Sequence, residues 1–255
     1  MPATVDAREL ESKVKDMYRA VADHPEGRYH FELGRSLAER LGYPGDVLDE
    51  IPEGAVESFA GVGYFFDLAG LREGESVIDL GSGSGMDVFF AAHQVGSGGQ
   101  VAGVDFTTEQ LDKARRLAEE SDWNQVEFRE GRIERLPADD ESFDCAISNG
   151  VINLAPDKED VFGEVARVLK PGGRLAIADI VSEQQLKESI VCDADLWASC
   201  IGGAAQQDAY REAIEGAGLR IDDLRTNPYE FISERARDAS EKYGVKSVSL
   251  MAVKS

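Results

Sequence analysis

Apolar positions change their spacing along the chain, and each change predicts a different element. From Ala7 to Leu41 they recur at helical intervals, through Leu10, Val14, Met17, Tyr18 and Val21 and then Leu33, Leu37 and Leu41, which predicts a helical N-terminal segment. Pro44, Gly45, Pro52 and Gly54 are expected to break it, and Gly61, Gly63 and Gly70 punctuate the approach to the next unit. Residues 1–70 therefore read as a helical cap and residues 71–255 as the main domain. After Gly70, short apolar runs alternate with helical patterns. Strands are predicted over Ser76–Leu80, Gln100–Asp105, Val126–Arg129, Phe143–Ser148 and Arg174–Ile180, with helices over Val88–Val95, Glu109–Ser121 and Lys158–Leu169. Pro171, Gly172 and Gly173 are expected to stop the last of these helices. Beyond them, Ala194–Ile201, Gln207–Ala217 and Ser233–Tyr243 read as helices, and Leu219–Thr226 and Val245–Val253 as strands. Such alternation predicts an α/β fold, a doubly wound parallel sheet with helices on both faces.

Composition narrows what such a sheet serves. The 255 residues carry 27 Lys and Arg against 49 Asp and Glu, a formal net charge of −22. That charge repels phosphate backbones and anionic lipid, so a nucleic-acid or membrane partner is not expected and a neutral, cationic or small one is. Cys145, Cys192 and Cys200 are too few and too scattered for a disulfide framework or a closed zinc site, which fits a reducing cytoplasm. The stretch from Met1 to Lys15 mixes acids with bases and has no apolar core, so it reads as neither a signal peptide nor a membrane span.

Chemistry concentrates in Val77-Ile78-Asp79-Leu80-Gly81-Ser82-Gly83-Ser84-Gly85, where a buried strand ends in a glycine-rich turn before a helix. Glycines let backbone approach a ligand closely, and a helix N-terminus offers free amides. Three features make the turn more than an ordinary one: the acid Asp79 inside the strand, the compact G-x-G-x-G spacing, and Asp105 ending the next strand, where a carboxylate can take two ribose hydroxyls. A pyrophosphate loop, G-x-G-x-x-G, would place its third glycine at Met86, so the expected ligand is a nucleoside without a pyrophosphate. A nicotinamide dehydrogenase is disfavoured on that ground.

Over residues 71–180 the chain resembles the class I S-adenosylmethionine-dependent methyltransferases, through VIDLGSGSGMD, VAGVDFT, EGRIERLP, FDCAISNGVINL and VARVLKPGGRLAIADI in the family's order. The resemblance implies a Rossmann-like, mostly parallel seven-stranded sheet whose last strand is antiparallel, with S-adenosyl-L-methionine as cofactor. It implies Gly81, Ser82 and Gly83 under the methionine and ribose, Asp79 near the amino acid moiety, and Asp105 on the ribose hydroxyls. Phe106 would pack on the adenine, with Arg132 and Ile133 in the loop around its edge, Arg132 standing where many relatives carry an acid. Asn149, after the fourth strand, is a candidate for orienting cofactor and acceptor, as is Asn153 for the acceptor; both residue types also serve as turns and caps. The implied reaction is an in-line methyl displacement to a small-molecule acceptor, needing neither metal nor covalent intermediate. A protein that binds the cofactor without catalysis remains an alternative.

Within that superfamily, SNGVINLAPDK (148–158), DLWASCIGGA (195–204) and the turn Phe59–Gly63 are similar to the arsenite methyltransferase group. That likeness implies thiols near three places, of which this chain keeps Cys200; Val62 and Gly150 stand at the others, and neither binds a soft ion. Cys200, with Cys192 eight residues earlier, is the candidate for metalloid chemistry, against a plain packing role. Cys145 reads as core. Tyr18, Tyr29, His30 and Phe31 either close over the cofactor or simply pack. The 18 Arg against 9 Lys, together with the acidic excess, point to adaptation to high salt. The melting temperature is accordingly expected to rise between low salt and about 1 M KCl, where the Debye length contracts to about 3 Å; a flat or falling curve would leave ordinary acidity.

Overall fold

The computed structural model describes residues 7–193, 196–197 and 200–255. Its strands are β1 (Ser76–Leu80), β2 (Gln100–Asp105), β3 (Val126–Glu130), β4 (Phe143–Asn149), β5 (Leu169–Ser182), β6 (Ala205–Gln206), β7 (Leu219–Thr226) and β8 (Lys246–Lys254). They lie in the order β3-β2-β1-β4-β5-β8-β7. The first five run parallel, and β8 is antiparallel to both β5 and β7. The seven strands read from the sequence are thus joined by an eighth, the two-residue β6, which pairs with the end of β5. Helices α6 (Met86–Val95), α7 (Thr108–Glu120) and α8 (Lys158–Val168) connect the parallel strands, the short α9 (Glu188–Val191) follows β5, and α10 (Gln207–Gly216) and α11 (Glu234–Tyr243) flank β7. Of the expected helix Ala194–Ile201, Ala194, Asp195, Ala198 and Ser199 lie outside the described residues; Leu196 and Trp197 are helical.

Alternation along each inner strand sends side chains to two cores. Val77, Cys145, Ile147, Ala176, Ala178 and Ile180 face one side, whereas Ile78, Leu80, Ala146, Leu175 and Ile177 face the other, where they meet α8 and α10. One local departure from the expected pattern is β5. It begins at Leu169, paired with Phe143, and the register shifts before Cys145 meets Arg174. Pro171, Gly172 and Gly173 therefore form a bulge inside the strand rather than a turn ahead of it, with Gly172 at φ 76°.

The N-terminal helical pattern is interrupted. Helix α1 (Ala7–Asp23) ends before Pro25 and Gly27, and α2 (Arg35–Leu41) resumes after Gly34. Pro44 and Pro52, expected as breaks, instead precede the short helices α3 (Gly45–Leu48) and α4 (Glu53–Glu57), because a residue without an N–H costs nothing ahead of a helix. Residues 37–69, which include α5 (Phe66–Ala69), bury their apolar side chains in the same core as α6 and one sheet face. Phe66 lies 4.4 Å from Phe90 and 4.8 Å from Phe65 between ring centroids, with Tyr43 edge-on to both Phe66 and Phe90. Arg174, in β5, closes the opposite end: it pairs with Glu75 at 2.6 Å and donates to the carbonyls of Ala69 and Gly70. Phe66→Ala should cost about 3–5 kcal/mol in urea unfolding, since it opens a cavity at the join between α5 and α6; a loss under about 1 kcal/mol would show that the join contributes little.

Candidate functional site

Where β1 ends, the chain needs three left-handed residues in one turn, and it supplies Gly81, Gly83 and Gly85 at φ 75°, 52° and 93°. A Cβ on Gly81 would lie 2.5 Å from Val151, so that position requires glycine for space as well as conformation. Asp105, at the end of β2, fastens this turn. Its carboxylate accepts from Gly83 N at 2.9 Å and Thr107 N at 2.8 Å, and its burial raises the acid against the pull of those bonds. Ser82 lies between them, and its buried Oγ has no hydrogen-bond partner.

Next to the turn two further acids are buried. Asp79 is 2% exposed; burial, reinforced by the charges of Asp87 and Asp105, holds its carboxyl well above the usual carboxylate range. Asp87, in the first turn of α6, is pushed up to about 6 by burial, against the hydrogen bonds it accepts from Tyr43 Oη at 2.6 Å and Asn149 Nδ2 at 3.0 Å. Asn149 is fully engaged. Its Oδ1 accepts from Val62 N at 2.7 Å and Gly63 N at 3.3 Å, and its Nδ2 also donates to Gly63 O and Tyr43 Oη. The side chain thereby ties the turn before the sheet to the end of β4.

Helix α1 lies across these groups. Leu10, Glu11, Val14 and Tyr18 form one wall of a cleft whose other walls include Asp79, Gly81, Ser82, Gly83, Asp87, Asp105, Phe106, Arg132, Ile133 and Asn149. Polar contacts hold the helix down: Arg132 donates to Glu11 at 2.6 Å, and Gln110 Nε2 donates to Tyr18 O at 2.7 Å while its Oε1 accepts from Ser84 in the glycine turn. Among the described residues Arg132 is the one cation lining the cleft, and it sits between Glu11 and Glu134. The cleft is therefore an acidic floor under apolar walls, suited to a ligand with both a planar apolar part and positive charge.

Cys200 does not line this cleft. It is half-buried against the cluster of Leu10, Val14, Leu154 and Trp197, has a left-handed backbone at φ 61°, and burial pushes its thiol up to about 12. Its thiol faces Asn153, whose amide donates to Gly150 O at 3.0 Å and to Asp179 Oδ1 at 2.6 Å. Val62 lies beside Gly150, where an added Cβ would come within 3.1 Å of Val62 Cγ1. Gly150 and Cys200 are both partners of Asn153, and of Val62, Gly150 and Cys200 only the last carries a thiol. Cys192 is exposed and Cys145 is buried in β4. Among the described residues, no three His, Cys, Asp or Glu side chains are placed to hold a metal ion, and no helix is long and apolar enough to cross a membrane.

Asp87, Tyr43 and Gln110 were not singled out from the sequence. For Asp87 a signal existed: one acid in the otherwise apolar start of MDVFFAAHQV is a buried charge that needs a reason. Tyr43 and Gln110 gave none, because their partners are far away in sequence.

Comparisons with known proteins agree with this geometry. A methyltransferase domain family matches residues 71–218. The chain is 41% identical over 205 residues to an arsenite methyltransferase of Halobacterium salinarum, covering 80% of this chain and 52% of that one. It spans about half, or less, of the length of the curated relatives it first matches. Among solved structures, an arsenic(III) S-adenosylmethionine methyltransferase from Chlamydomonas reinhardtii superposes with a TM-score of 0.64 at 30% identity, over 86% of this chain and 73% of that one. A geranyl diphosphate C-methyltransferase from Streptomyces coelicolor aligns over the full length of both chains with a TM-score of 0.69 at 20% identity, a likeness of fold alone.

Proposed function

Because the chain belongs to the class I S-adenosylmethionine-dependent methyltransferases, we propose that it transfers the cofactor's methyl group to a small-molecule acceptor. The observation that carries this reading is the Asp105 clasp on the glycine turn at the floor of an acidic cleft. The residues present fit the cofactor: Asp79 is a buried carboxylate facing the cleft with no cation beside it among the described residues, and the unpartnered Ser82 Oγ lies on the same floor. Asp105 takes the ribose hydroxyls, Gly81 and Gly83 leave room for the ligand's backbone approach, and Asp79 faces the amino acid ammonium. Phe106, Ile133 and the aliphatic stem of Arg132 enclose the adenine. Asn149 acts on the site by fixing the turn Val62–Gly63, and α1 excludes water. When bound, the cofactor supplies an electrophilic sulfonium methyl for in-line displacement, a reaction favoured by alignment in a dry cleft.

A second reading, arsenite as acceptor, is supported by the relatives named for it and by Cys200 beside the cleft's lid. Against it stand Val62 and Gly150, which leave one thiol where three would gather a trivalent metalloid, and the raised pKa of that thiol. We therefore favour a different small acceptor. The net charge of −22 and the likeness to a Halobacterium protein support work at high salt, and the free cysteines support a reducing cytoplasm.

Calorimetry should find binding of S-adenosylmethionine and none of NAD, with Asp105→Ala weakening the former by roughly 1.5–3 kcal/mol through loss of charge-assisted hydrogen bonds; unchanged affinity would remove Asp105 from the site. Incubation with arsenite, S-adenosylmethionine and excess glutathione is expected to give little methylated arsenic. Robust turnover abolished by Cys200→Ser would establish the metalloid reading instead.

A further inference from the structure

Asp79 and Asp87 share one wall of the cleft and are satisfied unequally. Asp87 accepts from Tyr43 and Asn149, whereas among the described residues no donor reaches Asp79, although it is more than nine-tenths buried and lines the cleft. The groups facing the pair are Asp105 from β2, Tyr43 from the segment between α2 and α3, and Asn149 from β4. Across the cleft stand Glu11 and Tyr18 of α1, and Arg132 and Glu134 from the loop after β3. Arg132 is already engaged by Glu11 and Glu134, and Lys15, at the rim, pairs with Glu11. Among the described residues no cation is left to neutralise the two acids from within the cleft.

The methyl donor and its product carry the same amino acid zwitterion and differ by one charge, the sulfonium against a neutral thioether. We infer that the Asp79–Asp87 pair reads this difference, holding the sulfonium form with both carboxylates ionised and taking up a proton from solvent when the neutral thioether replaces it. The inference rests on the cleft accepting this cofactor. Burial raises both acids, Asp87 to about 6, so at mildly acidic pH the pair holds a proton. A cationic ligand favours the ionised pair and expels that proton, so donor affinity rises with pH through that range. The product presents the same ammonium to Asp79 but no sulfonium, so it gains less, and the site sheds it in preference to the donor.

The test is calorimetric titration of the full chain with S-adenosylmethionine and with S-adenosylhomocysteine from about pH 5 to about pH 8, in paired buffers of different ionisation enthalpy. Donor affinity should climb on the order of tenfold with net proton release, and product affinity no more than about threefold. In Asp87→Asn, which keeps the side chain's size but removes the charge and one of its two acceptor oxygens, the donor's advantage should shrink while the product still binds. Equal pH slopes for the two ligands, or an unchanged affinity ratio in Asp87→Asn, overturns the inference and leaves the cofactor assignment intact. Failure of both ligands to bind overturns both. Should the variant not fold, the wild-type proton counts decide the matter alone.

Discussion

The Asp105 carboxylate accepts from the backbone of both Gly83 and Thr107, and this one clasp ties the turn after β1 to the turn after β2. Three glycines in left-handed conformation make the first turn possible but do not hold it, since glycine is the residue with most freedom to lose. The clasp holds it. A second clasp, Asn149 with Asp87 and Tyr43, does the same for the turn at Val62 and Gly63 that enters the sheet. Gln110 completes the arrangement by joining Ser84 of the glycine turn to the Tyr18 carbonyl of α1. The floor, rim and cover of the cleft are thus one hydrogen-bonded unit at the carboxyl ends of the parallel strands, where open α/β sheets place their ligands.

Burial of three carboxylates at that edge works against stability. Each loses hydration, and Asp79 accepts no hydrogen bond from the described residues to offset it. The apolar body of the protein offsets this: both faces of the sheet are covered, and the rings of Phe65, Phe66, Phe89 and Phe90 are almost wholly buried. A ligand that brings positive charge relieves the cost, which makes the cleft a better binding site for the same reason that it is a poor piece of core.

Short apolar runs bounded by turn residues made β1, β2 and β7 legible to the residue, and the glycine turn with Asp79 and Asp105 marked chain segments that line the cleft. The helical break at Pro25 and Gly27 was hidden because apolar spacing continued on both sides of it. The bulge in β5 was hidden because Pro-Gly-Gly reads as a turn whether or not a neighbouring strand continues to pair around it. Tertiary partnerships were the least legible. That Asn149 meets Tyr43 and Val62, or that Cys200 stands outside the cleft against Asn153, depends on which chain segments the fold brings together, and residue type alone carries no such information.

A crystal structure of the full chain with S-adenosylhomocysteine tests the central claim most directly. The account predicts the ligand beneath α1, both ribose hydroxyls within hydrogen-bond distance of Asp105, and the adenine between Phe106 and Ile133. A ligand seated elsewhere, or a ribose turned away from Asp105 with the Gly83 and Thr107 bonds lost, would contradict it.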